Sequence, residues 1–480
     1  MHFFCRFNLF LLLFLTAYFS YSIKKLTAEE IGAEEAEKIA LANHFELKSL
    51  RKEIALEKEI SKSKLRNFFP SATISYSRRR SITERDYDYS NHSIKLSLSQ
   101  PIFDAGRNKI IYEISKINQR IARNHYLIQK HKLSYKVRQA YLDIQEKREI
   151  SMLLKSSMLN AENIFRRAEK EISLGMIKRL DHQEIQNEYR RRKLSYSVSL
   201  RELNDSIENF YHILGKDYGV SSVKHVDFDR ITFKRPDQNG IANLFLKRRQ
   251  IPSLQNLKLA SAKKKKEMLI EKYSYIPSFA VTGHYSKNGE NWPPENTEVG
   301  IGINISFYVL GSSVTHNSGI SSSRNKFKKS FSSDSNIQLY DNPLWKKNRM
   351  EKQLDLERSL YSQKDADFQN KTSVKRLLQS LREAFINLNL LNEYTIILRK
   401  KNAIEKEKFH LGQTSLHDYL REEHILNEVR LKEIREKISY MINAGRLESE
   451  LGLPLDSLRL YIIQEYSKKD YQSIKRSFRD

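Results

Sequence analysis

Two uninterrupted helical segments of equal length constrain the fold more than any other feature of the sequence. The chain runs from 107 to 174, and again from 344 to 411, for 68 residues without a glycine or a proline. Apolar residues such as Ile110, Ile114 and Ile117 recur at helical spacing along the first segment. Periodic segments of this length are typical of coiled-coil packing. The sequence therefore predicts two very long helices that pack against other helices.

Both segments belong to a pattern that occurs twice in the chain. Each copy has two short alternating segments, a long helix, a glycine turn, and a second helix that ends at a glycine. The spacing from Gly175 to Gly215 is 40 residues, and so is the spacing from Gly412 to Gly452. We therefore expect two structural repeats, 23–215 and 240–452, joined by a linker at 216–239 and followed by a basic C-terminal tail at 453–480.

The second repeat contains an insertion. Gly106 and Gly311 are 205 residues apart, whereas Gly175 and Gly412 are 237 residues apart, a difference of 32. The segment 312–343 accounts for this difference, and its richness in serine, asparagine and lysine predicts a flexible segment.

Four segments of about nine to eleven residues alternate with period two, the length of a membrane-spanning strand. Their apolar faces are Ala72, Ile74 and Tyr76; Ile94, Leu96 and Leu98; Phe279, Val281 and Tyr285; and Val299, Ile301, Ile303, Ile305 and Phe307. The polar loops 78–91 and 286–297 separate the strands of each pair. A soluble sheet with one wet face fits this alternation equally well. If a membrane is crossed, four strands cannot close a barrel, so the chain must oligomerise.

Residues 1–22 read as a secretory signal peptide, with basic Arg6 before a short apolar run. Cys5 is the only cysteine, so the mature chain is expected to have none and thiol catalysis is excluded. No other segment is apolar for long enough to predict a membrane-spanning helix. The net charge of +26 is spread along the chain among 58 acidic residues, which argues against nucleic-acid binding. We find no catalytic motif, metal-ligand spacing or cofactor motif, so the chain is not expected to be an enzyme.

Several short segments of the chain resemble the TolC-like family of outer-membrane channels. They are SQPIFDAG at 99–106, LGMIKRLD, LGQTSLHD, and the repeat ends ILG and ELG. The resemblance implies a mainly α fold with membrane β structure. Long antiparallel helical hairpins would form a periplasmic tunnel, and four strands per chain would join in a trimeric barrel of twelve. It also implies the outer-membrane component of a tripartite efflux or type I secretion system, which exports small molecules or proteins.

The partners that the resemblance implies are two further copies of the chain, a periplasmic adaptor, an inner-membrane transporter and outer-membrane lipid. In the family, the tips of the helical hairpins close the tunnel and meet the adaptor. By position, Gly175 and Gly412 would form the turns, and Leu174 and Leu411 would lie at the tips.

The same comparison implies a periplasmic gate at Asp181 and Asp418. Three copies of Asp418 in a trimer would form a carboxylate ring that attracts cations. Alternatively, Asp418 only stabilises the start of its helix. Asp181 is expected to latch the gate or cap its helix. Arg421 stands where the family often has a second carboxylate, which weakens the expected cation selectivity.

Pro101, Gly106 and Gly311 are expected at the strand-to-helix junctions, where glycine allows the chain to bend. Lys95 lies on the polar face of its strand and Arg78 at the adjoining rim, so the mouth is expected to favour anions. The alternative function is a periplasmic coiled-coil structural or adaptor protein. The duplicated hairpins and the scarcity of glycine outside the turns favour the channel.

Overall fold

A computed structural model describes residues 30–81, 89–216, 222–237, 251–309, 311–324 and 328–463. The predicted signal peptide and residues 464–480 of the basic tail lie outside the described residues. Both long-helix predictions are confirmed: α3 has 67 residues and α6 has 66. The helices are α1 (Ala33–Asn43), α2 (Phe45–Arg66), α3 (Arg107–Ser173), α4 (Arg179–Leu214), α5 (Pro252–Lys272), α6 (Trp345–His410) and α7 (Leu416–Glu450). In this described part of the chain, no helix is both long and apolar enough to span a membrane.

The chain divides into two compact units, each built from parts of both sequence repeats. Within the described residues, the helical unit comprises 30–48, 129–216, 222–237 and 370–463, and the sheet unit comprises 49–81, 89–128, 251–309, 311–324 and 328–369. The helices α3 and α6 contribute residues to both units.

The core of the helical unit is formed by the inner faces of the hairpins α3–α4 and α6–α7. Phe210, Leu214, Leu381, Tyr440 and Leu447 are fully buried there. Burying apolar area of this kind is the main stabilising term for amphipathic helices, which are marginal in isolation.

Two small sheets complete the helical unit. Strand β1 (Glu30–Ile31) pairs in parallel with β4 (Ser222–Val223), and β5 (Ile231–Phe233) pairs antiparallel with β10 (Tyr461–Ile463). The predicted linker at 216–239 therefore contributes two strands, and the predicted tail at 453–480 contains a third. Gln145 fixes the segment after β4, because its amide donates to the carbonyl of Lys224 at 2.8 Å and accepts from the N–H of Val226 at 3.2 Å.

The sheet unit contains one antiparallel sheet of six strands. They are β2 (Ser71–Ser81), β3 (Tyr89–Phe103), β6 (Ser278–Gly289), β7 (Asn296–Val309), β8 (Ser312–Ser323) and β9 (Lys328–Gln338). The spatial order is β2-β3-β6-β7-β8-β9, so the strand pairs of the two repeats meet at β3 and β6.

The expectation of four strands per chain is therefore wrong, and so is the expectation that 312–343 is flexible. That segment forms the hairpin β8–β9, and β8 pairs with β7 along its whole length. Serine and asparagine dominate the composition, but pairing with β7 and β9 satisfies the backbone N–H and C=O groups of β8. Sparse apolar residues, Val314, Ile320, Phe331 and Ile337, continue one face of the sheet.

Each face of the sheet has one character across all the strands, as the alternation predicts. One row of register partners reads Ala72, Leu98, Gly283, Ile301, Ile320 and Phe331. A neighbouring row on the other face reads Thr73, Ser97, His284, Gly300, Ser321 and Ser330. The apolar face is exposed in this single chain, where Ile74 is 77% exposed and Phe331 is 71% exposed.

The basic residues near the strand ends divide between the two faces. Lys95 pairs with Ser75 and Ser286 on the polar face, as predicted. Because side chains alternate along a strand, Arg78 lies on the apolar face, and Arg79 shares the face of Lys95.

The first strand-to-helix junction is a bulge followed by a capped helix. The register of β3 against β6 shifts after Pro101, where proline needs no ladder donor. Gly106 adopts the left-handed conformation at φ 76°. The Asp104 carboxylate accepts from the N–H groups of Gly106 at 3.0 Å and Asn108 at 2.7 Å, which caps the start of α3.

Gly311 occupies a different junction, because the inserted hairpin starts directly after it. Its φ is 82°, and its carbonyl accepts from the N–H of Asn342 at 3.0 Å. A Cβ atom at this position would lie 2.6 Å from the ring of Trp345, the first residue of α6. The residues on either side of the hairpin β8–β9, Gly311 and Asn342, therefore lie next to each other.

Candidate functional site: the hairpin tips

The tips of the two helical hairpins have the same backbone geometry. Gly175 and Gly412 have φ values of 71° and 73°. The N–H of Gly175 donates to the carbonyl of Ile172, and the N–H of Met176 donates to that of Glu171. Gly412 and the residue after it repeat this pair of hydrogen bonds at the end of α6. Both turns are therefore Schellman motifs, which end a helix on a left-handed glycine.

The tips expose apolar side chains. Leu174 and Leu411 are each 72% exposed, and Met176 and Leu180 are also exposed. Large apolar side chains grouped at an exposed turn are a common feature of protein-binding surfaces.

Asp181 and Asp418 hold equivalent positions in the first turn of the second helix of each hairpin, but their surroundings differ. The Ser415 hydroxyl accepts from the N–H of Asp418 at 3.1 Å and donates to its carboxylate at 2.6 Å. At the first tip, Lys178 is the N-cap residue and makes no side-chain capping hydrogen bond. Both carboxylates are exposed, and no hydrogen bond or ion pair links them within the described residues.

A buried polar cluster joins the two hairpins some distance behind their tips. Arg192 of α4 donates to the Glu423 carboxylate of α7 at 2.6 Å and to the Ser157 hydroxyl of α3 at 3.1 Å. It also donates to Glu188 at 2.8 Å. Arg192 and Glu423 are 8% and 7% exposed. We call the set Ser157, Asn160, Glu188, Arg192, Tyr419 and Glu423 the latch.

Asn160 extends the latch to the residue next to Asp418. Its amide donates to the Tyr419 hydroxyl at 2.9 Å and to Glu423 at 2.7 Å. The Tyr419 ring stacks on Phe409 of α6, with centroids 5.3 Å apart. Arg167 lies over the same Phe409 ring at 5.8 Å. The position of Asp418 is therefore fixed relative to the first hairpin through its neighbour Tyr419.

The electrostatics of the latch keep its ion pair charged. Burial alone would lower the pKa of Arg192, but the charges of Glu423 and Glu188 and its hydrogen bonds to them raise that pKa. Burial would raise the pKa of Glu188, yet hydrogen bonds from Arg192 and Arg191 outweigh it and lower that pKa. Because each charge is compensated at short range, the latch holds three helices together in a defined arrangement.

Sequence reasoning did not find the latch. Arg192 lies in the run 190–192 of three arginines, which gives no sign of which one turns inward. Glu423 likewise lies in a charged stretch of α7, where its neighbour His424 pairs with Glu428. The one available signal was helical phase, since Ile185, Arg192 and Ser199 are spaced by seven and are all buried.

Comparison with known proteins gives a consistent result. Residues 38–216 match the model of a family described as outer membrane efflux protein. The fold is similar to that of the Campylobacter jejuni CmeC outer membrane channel, with 14% identity and a TM-score of 0.70, over 92% of this chain and 88% of that one. It is similar to the Neisseria gonorrhoeae MtrE outer membrane channel in its open state, with 12% identity and a TM-score of 0.71, over 88% of this chain and 89% of that one.

A third similar structure is the outer membrane protein VceC from Vibrio cholerae, with 9% identity and a TM-score of 0.71, over 88% of this chain and 96% of that one. None of the curated proteins matches the chain in sequence. The predicted mainly α fold with long helical hairpins and a sheet, and the resemblance to outer-membrane channels, are thus confirmed. Residues 38–216 of the chain thus match the outer membrane efflux protein family, and the fold is similar to that of the outer membrane channels named above.

Proposed function

We propose that this outer-membrane channel works as a homotrimer in a tripartite efflux or type I secretion system, with a periplasmic adaptor and an inner-membrane transporter. The observation that carries the proposal is the buried latch between the two hairpins, placed behind tips that expose apolar side chains. The latch would hold the hairpins together in a closed state, and the tips would offer a surface to a partner.

In this proposal, opening moves α7 away from α3 and α4. The movement must break the contacts of Glu423 with Arg192 and Asn160. A buried ion pair that loses one partner costs about 3–5 kcal/mol. Spontaneous opening would therefore be rare, and binding of an adaptor to Leu174 and Leu411 would supply the free energy to separate the hairpins.

Asp418 is the proposed gate carboxylate. Ser415 orients it at the start of α7, and Tyr419 ties that turn to the latch. Three copies of Asp418 around one axis would attract cations at the constriction. Asp181, which lacks such an orienting hydroxyl, is assigned the lesser role of stabilising the start of α4.

The proposal is tested by recording single channels of the purified protein in planar bilayers with Asp418→Asn and, as the matched control, Asp181→Asn. We expect the Asp418 variant to lose cation preference and block by divalent cations, and the Asp181 variant to keep both. Equal effects of the two substitutions would contradict the assignment of the gate to Asp418.

A further inference from the structure

The inserted hairpin places new strands at the edge of the sheet. Within the described residues, the edge strands are β2 and β9, each of 11 residues. Because all neighbouring strands are antiparallel and the sheet has six of them, β2 and β9 run in opposite directions. Each edge leaves a row of backbone donors and acceptors that lipid cannot satisfy.

The hairpin β8–β9 has the two-faced pattern of the other four strands. Ile320 and Phe331 continue the apolar row that begins at Ala72, and Ser321 and Ser330 continue the polar row that begins at Thr73. A hairpin that merely covered a barrel would not need a face that matches the neighbouring strands row by row. The pattern indicates that the hairpin is part of the wall.

The stagger of the strands gives a geometric test of this role. When register partners are followed from strand to strand, Ser71 at the start of β2 lies in the same row as Ser332 of β9. Ser332 is six residues before the end of β9 at Gln338. At the other end, Ser75 falls in line with Lys328, six residues before the end of β2 at Ser81.

This stagger corresponds to a definite strand tilt. Six residues span about 20 Å along a strand, and the five steps from β2 to β9 span about 24 Å across the sheet. The ratio corresponds to a tilt of about 40°, within the range of about 35–45° that closed barrels require. The six-stranded sheet therefore has the shear of a barrel segment.

We propose that β9 of one copy pairs antiparallel with β2 of a second copy of this chain, so that a trimer has a wall of 18 strands instead of 12. The inference rests on the trimer of the proposed function and adds the site at which its copies join. Continuing the stagger by one step places Ser332 opposite Ser77 or Arg79 of the neighbouring copy. Both alternatives keep polar residues on one face.

The consequence is a wider barrel mouth, since the diameter of a barrel grows roughly linearly with strand number. Its polar face would be lined mostly by serine and other small residues, among them Ser97, Ser321, Ser330 and Ser332.

Disulfide trapping in intact outer membranes tests the proposal, because the only native cysteine is Cys5 in the predicted signal peptide. A disulfide needs Cβ atoms about 3.5–4.5 Å apart, so trapping reports a specific pairing. The informative variants combine Ser332→Cys with either Ser77→Cys or Arg79→Cys. The matched control combines Ser332→Cys with Tyr76→Cys, whose side chains lie on opposite faces.

We expect covalent dimers and trimers with one of the two informative variants and none with the control. A second set, Asn304→Cys in β7 with Thr73→Cys or Ser75→Cys, tests the rival in which four strands per copy form the wall. The same stagger continued over four steps places Asn304 opposite one of these two residues. Trimers that crosslink through Asn304, or that show no crosslink through Ser332, overturn the proposal. A protein that is not trimeric in the outer membrane overturns the proposed function itself.

Discussion

The latch makes a quantitative prediction for Arg192→Met. The substitution removes the donors to Glu423, Ser157 and Glu188 but keeps an apolar stem of similar length. Glu423, which is 7% exposed, would then keep one described donor, Asn160. An uncompensated buried carboxylate costs about 3–5 kcal/mol, so we expect a loss of stability of about that size.

The variant Lys401→Met is the matched control. Lys401 pairs with Glu422, the direct neighbour of Glu423, at 2.8 Å, but the lysine side chain is 54% exposed and the pair lies within one hairpin. A bridge of this kind contributes about 0–1 kcal/mol. Replacing both latch charges, in Arg192→Met/Glu423→Met, should recover most of the lost stability, because apolar pairs replace buried ion pairs at little cost.

Two assays separate the effects of these variants. Thermal unfolding in detergent should give Lys401→Met about the same melting temperature as the wild type. The double variant should melt slightly lower, and Arg192→Met should melt well below all of them. Single-channel recordings should show frequent openings for both latch variants, because neither keeps the charged link between hairpins. If Arg192→Met matches Lys401→Met in both assays, the latch neither stabilises nor closes the protein.

Three further predictions concern single groups. Burial would raise the pKa of Glu188, but hydrogen bonds from Arg192 and Arg191 outweigh it and lower that pKa. The contribution of Glu188 to stability is therefore complete above its unfolded pKa of about 4.3 and is lost as pH falls through the lower folded pKa. Melting curves between pH 7 and pH 3 should show this loss of stability, and Glu188→Gln should make the curve of stability against pH flatter. Ser415→Ala should destabilise the start of α7 by about 0.5–2 kcal/mol, measured as faster hydrogen exchange at the N–H of Asp418; unchanged exchange would show that the cap is dispensable. Lys95 and Arg79 share the polar face. Neutralising both residues by substitution should shift the reversal potential under a salt gradient away from anion preference. An unchanged reversal potential would contradict a barrel mouth that favours anions.

The helices and turns could be predicted because their signals are local. A stretch of 68 residues without glycine or proline, closed by a glycine, specifies a helix and its end, and Gly175 and Gly412 have the left-handed backbone that the pattern implies. The strand alternation at 72–76 likewise fixed which face is apolar.

The inserted hairpin was not predicted because its structure depends on backbone pairing, which its amino-acid composition does not reveal. Composition described the segment as serine-rich, whereas pairing with β7 supplies partners for its backbone whatever its side chains are. The four apolar residues of β8 and β9, Val314, Ile320, Phe331 and Ile337, are too sparse to indicate a strand without the neighbours that complete each row.

The latch was not predicted because its partners are far apart in the sequence. Arg192 and Glu423 are separated by 231 residues and meet only when the two hairpins pack. Each lies in a helix rich in charge, and burial alone distinguishes it from its exposed neighbours.

The central claim is that copies of this chain together form one outer-membrane channel. The most direct test is the oligomeric mass of the full chain extracted with mild detergent from a purified outer-membrane fraction. A trimer in that fraction is the result we expect. A water-soluble monomer or dimer in the periplasmic fraction would contradict the claim, since the exposed apolar face of the sheet would then have to be covered by something other than lipid and further copies of the chain.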